Sequence, residues 1–285
     1  MQNVFEIVSA DSVQIYRFLD IGSGKPRLDE RKIVTHHLID IADPDFNFTA
    51  GDFVRKAEEA CRVIKANGKI PLFVGGTGLY LDAFFKGISE IPVVDIKIRE
   101  KLFDELNERG LKSLYDELFI SDNKFAEKIH SNDKQRILRG LEVFRQTGQP
   151  LSSFYDNKDK QIKIDALFIG IKQDRLKLRE NIDKRVDLMI NSGLIDEVSG
   201  LRNKGYHSGL KSMKSIGYRE INRYLDGELT IDDAVSEIKL ETKRYAKRQM
   251  TWFRKNSSIK WFENSDYDSI KALLLNFVSG AEEVL

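Results

Sequence analysis

The run from residue 5 to residue 12 constrains the fold of this chain more than any other stretch. Short apolar residues lead directly into the small polar turn Ser9-Ala10-Asp11-Ser12. A buried parallel strand ends in this way when its carboxyl end carries a polar group into a crevice. A carboxylate at that position is suited to act as a general base or to hold a metal ion. The competing interpretation is that Asp11 caps the next helix.

A second strand is predicted to end in glycines. Residues 70–74 form a continuous apolar run, and Gly75-Gly76-Thr77-Gly78 follows immediately, with a helix predicted from about Leu79. Glycines let the backbone approach a ligand closely at the carboxyl edge of a parallel sheet, although ordinary tight turns have the same composition. Because Asp11 would end a neighbouring strand, we expect the two strand ends to share a pocket.

Between these two strands the sequence predicts a third strand over residues 33–41 and a helix over residues 53–67, which Gly68 ends. This alternation indicates an α/β fold with a parallel sheet. The adjacent His36 and His37 could serve as ligands or bases. Such histidines are more often hydrogen-bonded structural residues, and we interpret them in that way.

Strand patterns disappear after Pro92, and helices are predicted over residues 98–107, 111–118, 123–129 and 133–147. We therefore expect an inserted helical subdomain at 92–159, with an α/β core formed by 1–91 and 160–285. Asp133 is the expected N-cap of the last of these helices. Arg136 and Arg139, three residues apart on one helical face, could clamp a phosphate; an exposed, solvated face is the competing interpretation.

The sheet pattern returns at residues 166–171, and helices are predicted over 175–191 and 194–201. A capping box at Thr230 then begins a helix that runs to about residue 255. Its apolar stripe includes Tyr245 and Trp252, and its other side is basic: Lys243, Arg244, Lys247, Arg248, Arg254 and Lys255. A cationic helix interleaved with aromatic residues is typical of nucleic-acid backbone binding, and a solvated face is the alternative.

Composition narrows the class of protein. The formal net charge of the 285 residues is only +1, so any basic binding surface must be local. The single cysteine, Cys61, excludes an internal disulfide framework and a cysteine-based zinc site. No apolar run approaches the roughly 18 residues of a membrane span, and no signal peptide opens the sequence. A cytoplasmic enzyme or binding protein without membrane contact is therefore expected.

The loop Gly22-Ser23-Gly24-Lys25-Pro26 has some features of a phosphate-binding loop. It fails as a P-loop because Leu19 stands where the first glycine should be, and Pro26 stands where a Ser or Thr hydroxyl should be. We therefore interpret it as a surface turn.

Several motifs occur together and in order, namely Ser9-Ala10-Asp11-Ser12 with Ile15-Tyr16, Asp20-Ile21-Gly22 with Lys25-Pro26, Val74-Gly75-Gly76-Thr77, His130 with Asp133 and Gln135-Arg136, Gly217-Tyr218-Arg219, and Lys247-Arg248-Gln249 with Thr251-Trp252. No one of them is diagnostic. As a set, which covers essentially the whole chain, they are highly specific and resemble the bacterial tRNA dimethylallyltransferase family.

The resemblance implies a P-loop-kinase-like parallel sheet flanked by helices, with an inserted all-helical subdomain. It implies transfer of a dimethylallyl group from dimethylallyl diphosphate to the exocyclic amine of the adenine adjacent to the anticodon of tRNA. The partners would be the anticodon stem-loop of tRNA and dimethylallyl diphosphate, with Mg²⁺ as cofactor, and the enzyme would be a monomer.

The resemblance also implies roles for individual residues. Asp11 matches the general base that takes the amine proton, Thr77 matches a residue beside the reacting centre, and Arg185 matches an arginine on the diphosphate. The positions that match tRNA-contacting stretches are Asp11, Ser12, Val13, Gln14, Thr77, Arg99, Gln135, Arg136, Ile137, Leu138, Arg139, Lys214, Ser215, Ile216, Gly217, Tyr218, Arg219, Lys247, Arg248, Gln249, Met250, Thr251, Trp252, Phe253 and Arg254.

One departure from the family pattern affects the expected activity. The family begins with a strand, a P-loop and a helix that bind the diphosphate, and about thirty such residues have no counterpart before Met1. We therefore expect prenyl transfer to be weak or absent in the polypeptide as written. Two other functions remain open: a P-loop-type small-molecule kinase, which would not need the basic helix, and a tRNA-binding protein without catalysis, which would keep it.

Overall fold

The computed structural model describes residues 4–89, 91–156 and 165–282, and its first strand, β1 (Phe5–Ser9), is the middle of a three-stranded parallel sheet. Strands β2 (His36–His37) and β3 (Ile70–Val74) flank it. Ser9 is in register with Val74, so the turns that follow β1 and β3 begin side by side. The predicted α/β class with a parallel sheet is confirmed.

Three helices accompany this sheet: α1 (Leu28–Ile33), α2 (Ala50–Ala66) and α3 (Gly78–Lys86). Thr49 caps α2, because its side chain accepts a hydrogen bond from the Asp52 amide and Asp52 reciprocates. The strand predicted over residues 33–41 was wrong in extent, since only His36–His37 pairs with β1. Leu38 and Asp40 have φ values of 65° and 58°, and this left-handed backbone cannot continue an extended strand.

The chain divides into two compact units, Met1–Phe85 with Ile164–Leu285, and Lys86–Lys163. The second unit contains the helices α4 (Ile96–Ser121), α5 (Asn123–Ala126), α6 (Lys134–Thr147) and α7 (Leu151–Asp156). The helices predicted over 98–107 and 111–118 lie on either side of Gly110, whose non-helical backbone (φ 76°) interrupts α4 with a kink. Asp133 caps α6 as predicted, by accepting from the Arg136 amide at 3.1 Å.

The first unit continues with a second parallel sheet of β4 (Ile169–Lys172) and β5 (Lys260–Glu263). Its helices are α8 (Arg175–Asn191), α9 (Leu194–Asn203), α10 (Tyr218–Leu225), α11 (Ile231–Phe253) and α12 (Tyr267–Glu282), with a 3₁₀ turn at Ser212–Lys214. Helix α8 has the bounds that the sequence predicts. Strand β5 was missed, because its sequence Lys260-Trp261-Phe262-Glu263 has only two apolar residues between two charged ones.

Aromatic rings organise the interior of the first unit. Phe53 of α2 stacks on Tyr80 of α3 with ring centroids 4.5 Å apart, and both side chains are buried. Phe85 contacts Phe73 of β3 at 5.2 Å and Phe168, just before β4, at 5.1 Å, so its ring links the two sheets. Within the three described ranges, every helix is too short or too polar to span a lipid bilayer.

Candidate active site

The ends of β1 and β3 are tied together by three hydrogen bonds. The Ala10 amide donates to the Val74 carbonyl at 2.8 Å, and the Thr77 amide donates to the Ala10 carbonyl at 3.1 Å. The Ser12 amide donates to Thr77 Oγ1, also at 3.1 Å. A Cβ atom on Gly75 would collide with the Ala10 carbonyl, which explains the glycine at that position. The two strand ends that the sequence assigned to one pocket therefore meet.

Asp11 is both a cap and a candidate base. Its Oδ1 accepts hydrogen bonds from the amides of Val13 at 2.8 Å and Gln14 at 3.2 Å. The capping interpretation thus holds for one oxygen, although the capped segment is a turn rather than a helix. Within the described residues Oδ2 has no hydrogen-bond partner. Two amides therefore orient the carboxylate while one oxygen stays available for a proton.

Helix α11 holds the glycine loop that follows β3. Gln249 Nε2 donates to the Gly76 carbonyl at 3.0 Å, and Trp252 Nε1 donates to Asp82 Oδ2 at 3.0 Å. A Cβ on Gly76 would collide with the Gln249 side chain, and one on Gly78 would lie 2.5 Å from the Trp252 ring. Gln249 and Trp252, which the sequence assigned to tRNA contact, thus also pack on the loop that carries Thr77.

Tyr245, one turn earlier on α11, lies beside the same loop. Its hydroxyl is 3.5 Å from the Gly76 carbonyl. Burial, and next the negative charge of Asp11, raise the pKa of Tyr245, so its hydroxyl stays protonated near neutral pH.

The turn at residues 20–24 is held in place by another part of the fold, whereas the sequence predicted a surface turn. The Glu197 carboxylate accepts hydrogen bonds from the amides of Asp20 at 3.1 Å, Ile21 at 2.7 Å and Gly22 at 3.2 Å. It also accepts from the Tyr218 hydroxyl at 2.6 Å. Sequence reasoning missed Glu197, since the amides that it binds lie about 175 positions away and no local pattern marks them.

The Lys25 side chain corrects the surface assignment of this turn, since it is only 2% exposed. Its ammonium group pairs with Asp20 at 2.7 Å and with Asp40 at 2.6 Å, and it donates to the Tyr16 carbonyl. Burial alone would raise the pKa of Asp40, but hydrogen bonds from Lys25 and Arg31 outweigh burial and lower that pKa. The lysine therefore secures the loop from inside rather than facing a phosphate.

Arg185 of α8 lies on this turn. Gly24 has a φ of 61°, and a Cβ there would collide with the Arg185 guanidinium. Arg185 forms no ion pair within the described residues, so none of them neutralises its charge. Gln14 Nε2 donates to the Gly24 carbonyl at 3.3 Å, and the Gln14 amide binds Asp11. Gln14 therefore connects the candidate base to the turn beneath Arg185.

The candidate tRNA-binding residues of the helical unit fall into three groups. Ile137 and Leu138 are buried in that unit's core, so packing rather than RNA contact accounts for their side chains. Arg99 and Arg139 both pair with Glu142, at 2.7 and 3.3 Å. The exposed candidates on α6 are Gln135 and Arg136, the latter paired with Asp133 at 2.7 Å.

The stretch at 214–219 is also divided. Tyr218 is fully buried and binds Glu197, so its side chain is not available to RNA. Arg219 pairs with the buried Glu220. Lys214 is exposed and forms no ion pair in the described part of the chain. Ser215 and Ile216, which complete the stretch with Gly217, are partly buried.

The basic side of α11 is partly neutralised, against the expectation from sequence. Lys243 forms an ion pair with Asp183 of α8, and Arg244 pairs with Glu241 at 2.6 Å. Arg248 lies over the Tyr245 ring at 5.8 Å. The exposed cations that form no ion pair among the described residues are Lys247, Arg248, Arg254 and Lys255, all on or just after the last two turns of the helix.

The histidine pair has the structural role predicted for it, because His37 Nε2 lies 2.6 Å from Glu6 Oε2 and His36 Nδ1 lies 2.8 Å from the Val34 carbonyl. In residues 4–89, 91–156 and 165–282 there is no group of three or more His, Cys, Asp or Glu side chains that could hold a metal ion.

Comparison with known proteins assigns this chain to a family. The sequence model described as IPP transferase matches residues 14–256. A protein named tRNA dimethylallyltransferase 2 from Geotalea uraniireducens is 48% identical over 259 residues, which cover 90% of this chain and 84% of that protein. A tRNA dimethylallyltransferase from Geobacter metallireducens is 46% identical over 274 residues, covering 95% and 89%.

Solved structures agree with the sequence relatives. The tRNA isopentenylpyrophosphate transferase of Bacillus halodurans is 36% identical, with a TM-score of 0.68 and coverage of 98% of this chain and 88% of that chain. A eukaryotic dimethylallyltransferase acting on tRNA is 27% identical, with a TM-score of 0.77 and coverage of 98% and 74%. The resemblance and the fold that the sequence predicted are confirmed: the chain belongs to the IPP transferase family.

Proposed function

We propose that the chain transfers a dimethylallyl group from dimethylallyl diphosphate to the exocyclic amine of the adenine adjacent to the anticodon of tRNA. Family membership supports the reaction class. The observation that carries the proposal is the Asp11–Thr77 junction, where an oriented carboxylate adjoins a glycine loop and connects through Gln14 to the turn beneath Arg185. We expect the enzyme to act as a monomer and in the cytoplasm.

In the proposed reaction Asp11 is the general base. A bond forms between the adenine amine nitrogen and the first prenyl carbon, while the bond from that carbon to the diphosphate oxygen breaks. The electron pair leaves with the diphosphate, and the amine proton passes to Asp11 Oδ2. Thr77 borders the reacting centre, where its hydroxyl is held by the Ser12 amide. A positioned base of this kind contributes on the order of 10²–10⁴ in rate.

Arg185 is proposed to balance the charge of the leaving diphosphate. A guanidinium group that has no counter-ion among the described residues is suited to phosphate oxygens, because its donors form a rigid fork. Mg²⁺ is part of the proposal and would supply further charge neutralisation. Since the described residues offer no cluster of metal ligands, the ion would depend mainly on diphosphate oxygens and water. The roles of Asp11, Thr77 and Arg185 do not require it.

The tRNA is proposed to bind along the basic end of α11, with the target adenine turned out of its stack toward Asp11. The four unpaired cations supply attraction to the RNA backbone. On the same helix, Gln249 contacts the glycine loop that carries Thr77. One helix would thus connect the RNA surface with the reacting centre.

The proposal is tested by incubating the chain with unmodified tRNA transcript, dimethylallyl diphosphate and Mg²⁺, then digesting the RNA and detecting prenylated adenosine by mass spectrometry. A parallel sample of the chain fused to a family strand, P-loop and helix separates weak diphosphate binding from a wrong assignment. Product in either sample supports the proposal. Bound tRNA without product in both favours the non-catalytic alternative, and ATP-dependent phosphorylation of a small molecule would favour the kinase.

A further inference from the structure

We propose that Glu197 and Tyr218 are positioning residues for diphosphate binding, because they fix the backbone of residues 20–24 on which the Arg185 guanidinium lies. The inference rests on the proposed function and extends it to two residues that act through the turn rather than on the diphosphate itself. The chain of contacts runs from Glu197 to the turn, and from the turn to Arg185.

The first step is the geometry around the Glu197 carboxylate. It accepts three consecutive backbone amides, those of residues 20–22, together with the Tyr218 hydroxyl. Hydrogen bonds to an ionised carboxylate are shorter and stronger than neutral ones, so the three amide bonds hold this short segment firmly. Gly22 is required there, since a Cβ would lie 2.6 Å from the Tyr218 ring.

Tyr218 holds the Glu197 carboxylate in this position. Its side chain is fully buried, and a buried hydroxyl needs a partner. Burial, and next the charge of Glu197, raise the pKa of Tyr218, so the hydroxyl remains a donor under all ordinary conditions. The carboxylate is therefore held from the core side by Tyr218 and holds the turn on its other side.

The second step leads from the turn to Arg185. The Gly24 amide donates to the Ile21 carbonyl at 3.0 Å, which closes the turn and sets the position of Gly24. The Arg185 guanidinium lies against Gly24, and within the described residues no acidic side chain pairs with it. The turn is thus the surface that supports the guanidinium. The Gly24 carbonyl accepts a hydrogen bond from Gln14 Nε2. A shift of the turn would therefore change the placement of Arg185 relative to Asp11.

A purely structural role for Glu197 makes a different prediction. Helix α9 is anchored in the core by Leu194, Val198 and Leu201, all buried, so loss of the Glu197 charge would leave the helix in place. A structural role would lower the melting temperature and leave anion affinity unchanged. Electrostatics alone would raise anion affinity, because a negative charge is removed near the site. Only a positioning role predicts weaker anion binding.

The test measures the affinity for inorganic pyrophosphate by calorimetry in Glu197→Gln, Arg185→Ala and the double variant. We expect Glu197→Gln to weaken pyrophosphate binding about tenfold, which corresponds to the loss of one charge-assisted hydrogen bond. In the Arg185→Ala background the same substitution should have no further effect, because it acts through that arginine. Tyr218→Phe should shift affinity in the same direction, and Asp196→Asn, on the exposed side of α9, should not change it.

Affinity for tRNA and the melting temperature are measured on the same preparations, and tRNA binding should be unchanged. Unchanged or tighter pyrophosphate binding in folded Glu197→Gln, or an equal loss in both backgrounds, overturns the inference. If Glu197→Gln does not fold, Tyr218→Phe decides by the same criteria. Prenyl transfer by a wild-type chain whose pyrophosphate affinity is insensitive to Glu197 would refute the inference and leave the proposed function standing. A wild-type chain that binds no pyrophosphate refutes both this inference and the diphosphate role of Arg185.

Discussion

The Ser12 amide donates a 3.1 Å hydrogen bond to Thr77 Oγ1, and together with the bond from the Thr77 amide to the Ala10 carbonyl it joins the loops that follow two neighbouring parallel strands. Asp11 precedes Ser12 directly, so this junction also connects the candidate base to the glycine loop. Sites built on the ends of packed strands hold their geometry better than sites on free loops. The proposed chemistry thus follows from the register of β1 with β3.

Gly75→Ala should disturb this junction. The new Cβ would collide with the Ala10 carbonyl, and backbone rather than a flexible side chain would have to shift. We expect a loss of about 1–3 kcal/mol in the free energy of unfolding and a marked loss of prenyl transfer, measured by urea denaturation and product formation.

The matched control for this substitution is Gly51→Ala. Gly51 lies in α2, where a Cβ would make only ordinary contacts at 3.7 Å or more. Because alanine favours helix, this variant should gain up to about 1 kcal/mol without loss of activity. Equal stability of the two variants would contradict the assignment of Gly75.

The basic end of α11 predicts a salt-dependent tRNA affinity. Replacing Lys247 and Arg248 together by alanine should weaken tRNA binding and reduce the slope of log affinity against log salt. The reduction should be about 0.7–0.9 for each RNA phosphate that the protein no longer neutralises. Filter binding over a series of salt concentrations measures both quantities.

Lys243→Ala is the corresponding control, because Lys243 already pairs with Asp183. Its removal should lower stability slightly and leave the salt slope unchanged. If both variants reduced the slope equally, the RNA surface would extend over the whole basic side of the helix, contrary to our account.

The contacts of Glu6 predict how the free energy of unfolding depends on pH. Hydrogen bonds from Lys69 at 2.8 Å and His37 at 2.6 Å outweigh burial and hold the pKa of Glu6 below its usual 4.5. The unfolded chain therefore takes up the proton more readily than the folded chain. The stabilisation is present above a pH of about 4.5 and is lost as the pH falls through the lower pKa of the folded state.

Glu6→Gln should accordingly be less stable than wild type at neutral pH, and the difference should shrink in acid. Urea denaturation at neutral pH and at about pH 3.5 measures the two differences. Glu58→Gln, on an exposed position of α2, controls for net charge. Parallel acid destabilisation of Glu6→Gln and wild type would refute the role of Glu6.

Local features were readable from sequence. The caps Asp133 and Thr230 accept the amide hydrogen bonds expected of them, and the glycine end of β3 meets the Asp11 turn as predicted. Each depends on residues close in sequence or on the common edge of a parallel sheet. The predicted roles of Asp11, Thr77 and Arg185 remain predictions.

Long-range pairings were not readable from sequence. Asp183 neutralises Lys243, which lies 60 positions later in the sequence, and Glu197 of α9 binds the amides of residues 20–22. A carboxylate on a helix gives no local sign of which amides it will bind. The same limit applies to Gln249, because its contact with Gly76 depends on how α11 packs on the loop.

Asp11→Asn separates the two tasks of Asp11. Asparagine can still accept the Val13 and Gln14 amides, so the turn should persist and stability should be close to that of wild type. It cannot take up the amine proton. Asp11→Ala removes both the cap and the base, and should lose stability as well as activity.

The most direct measurement is the single-turnover rate of prenyl transfer by Asp11→Asn, with tRNA affinity determined on the same preparation and, if the chain alone gives no product, in the P-loop fusion. Our account predicts a rate lower by about 10²–10⁴ with unchanged tRNA affinity and melting temperature. A rate within a few-fold of wild type would show that Asp11 is a cap alone, and would contradict its assignment as the general base.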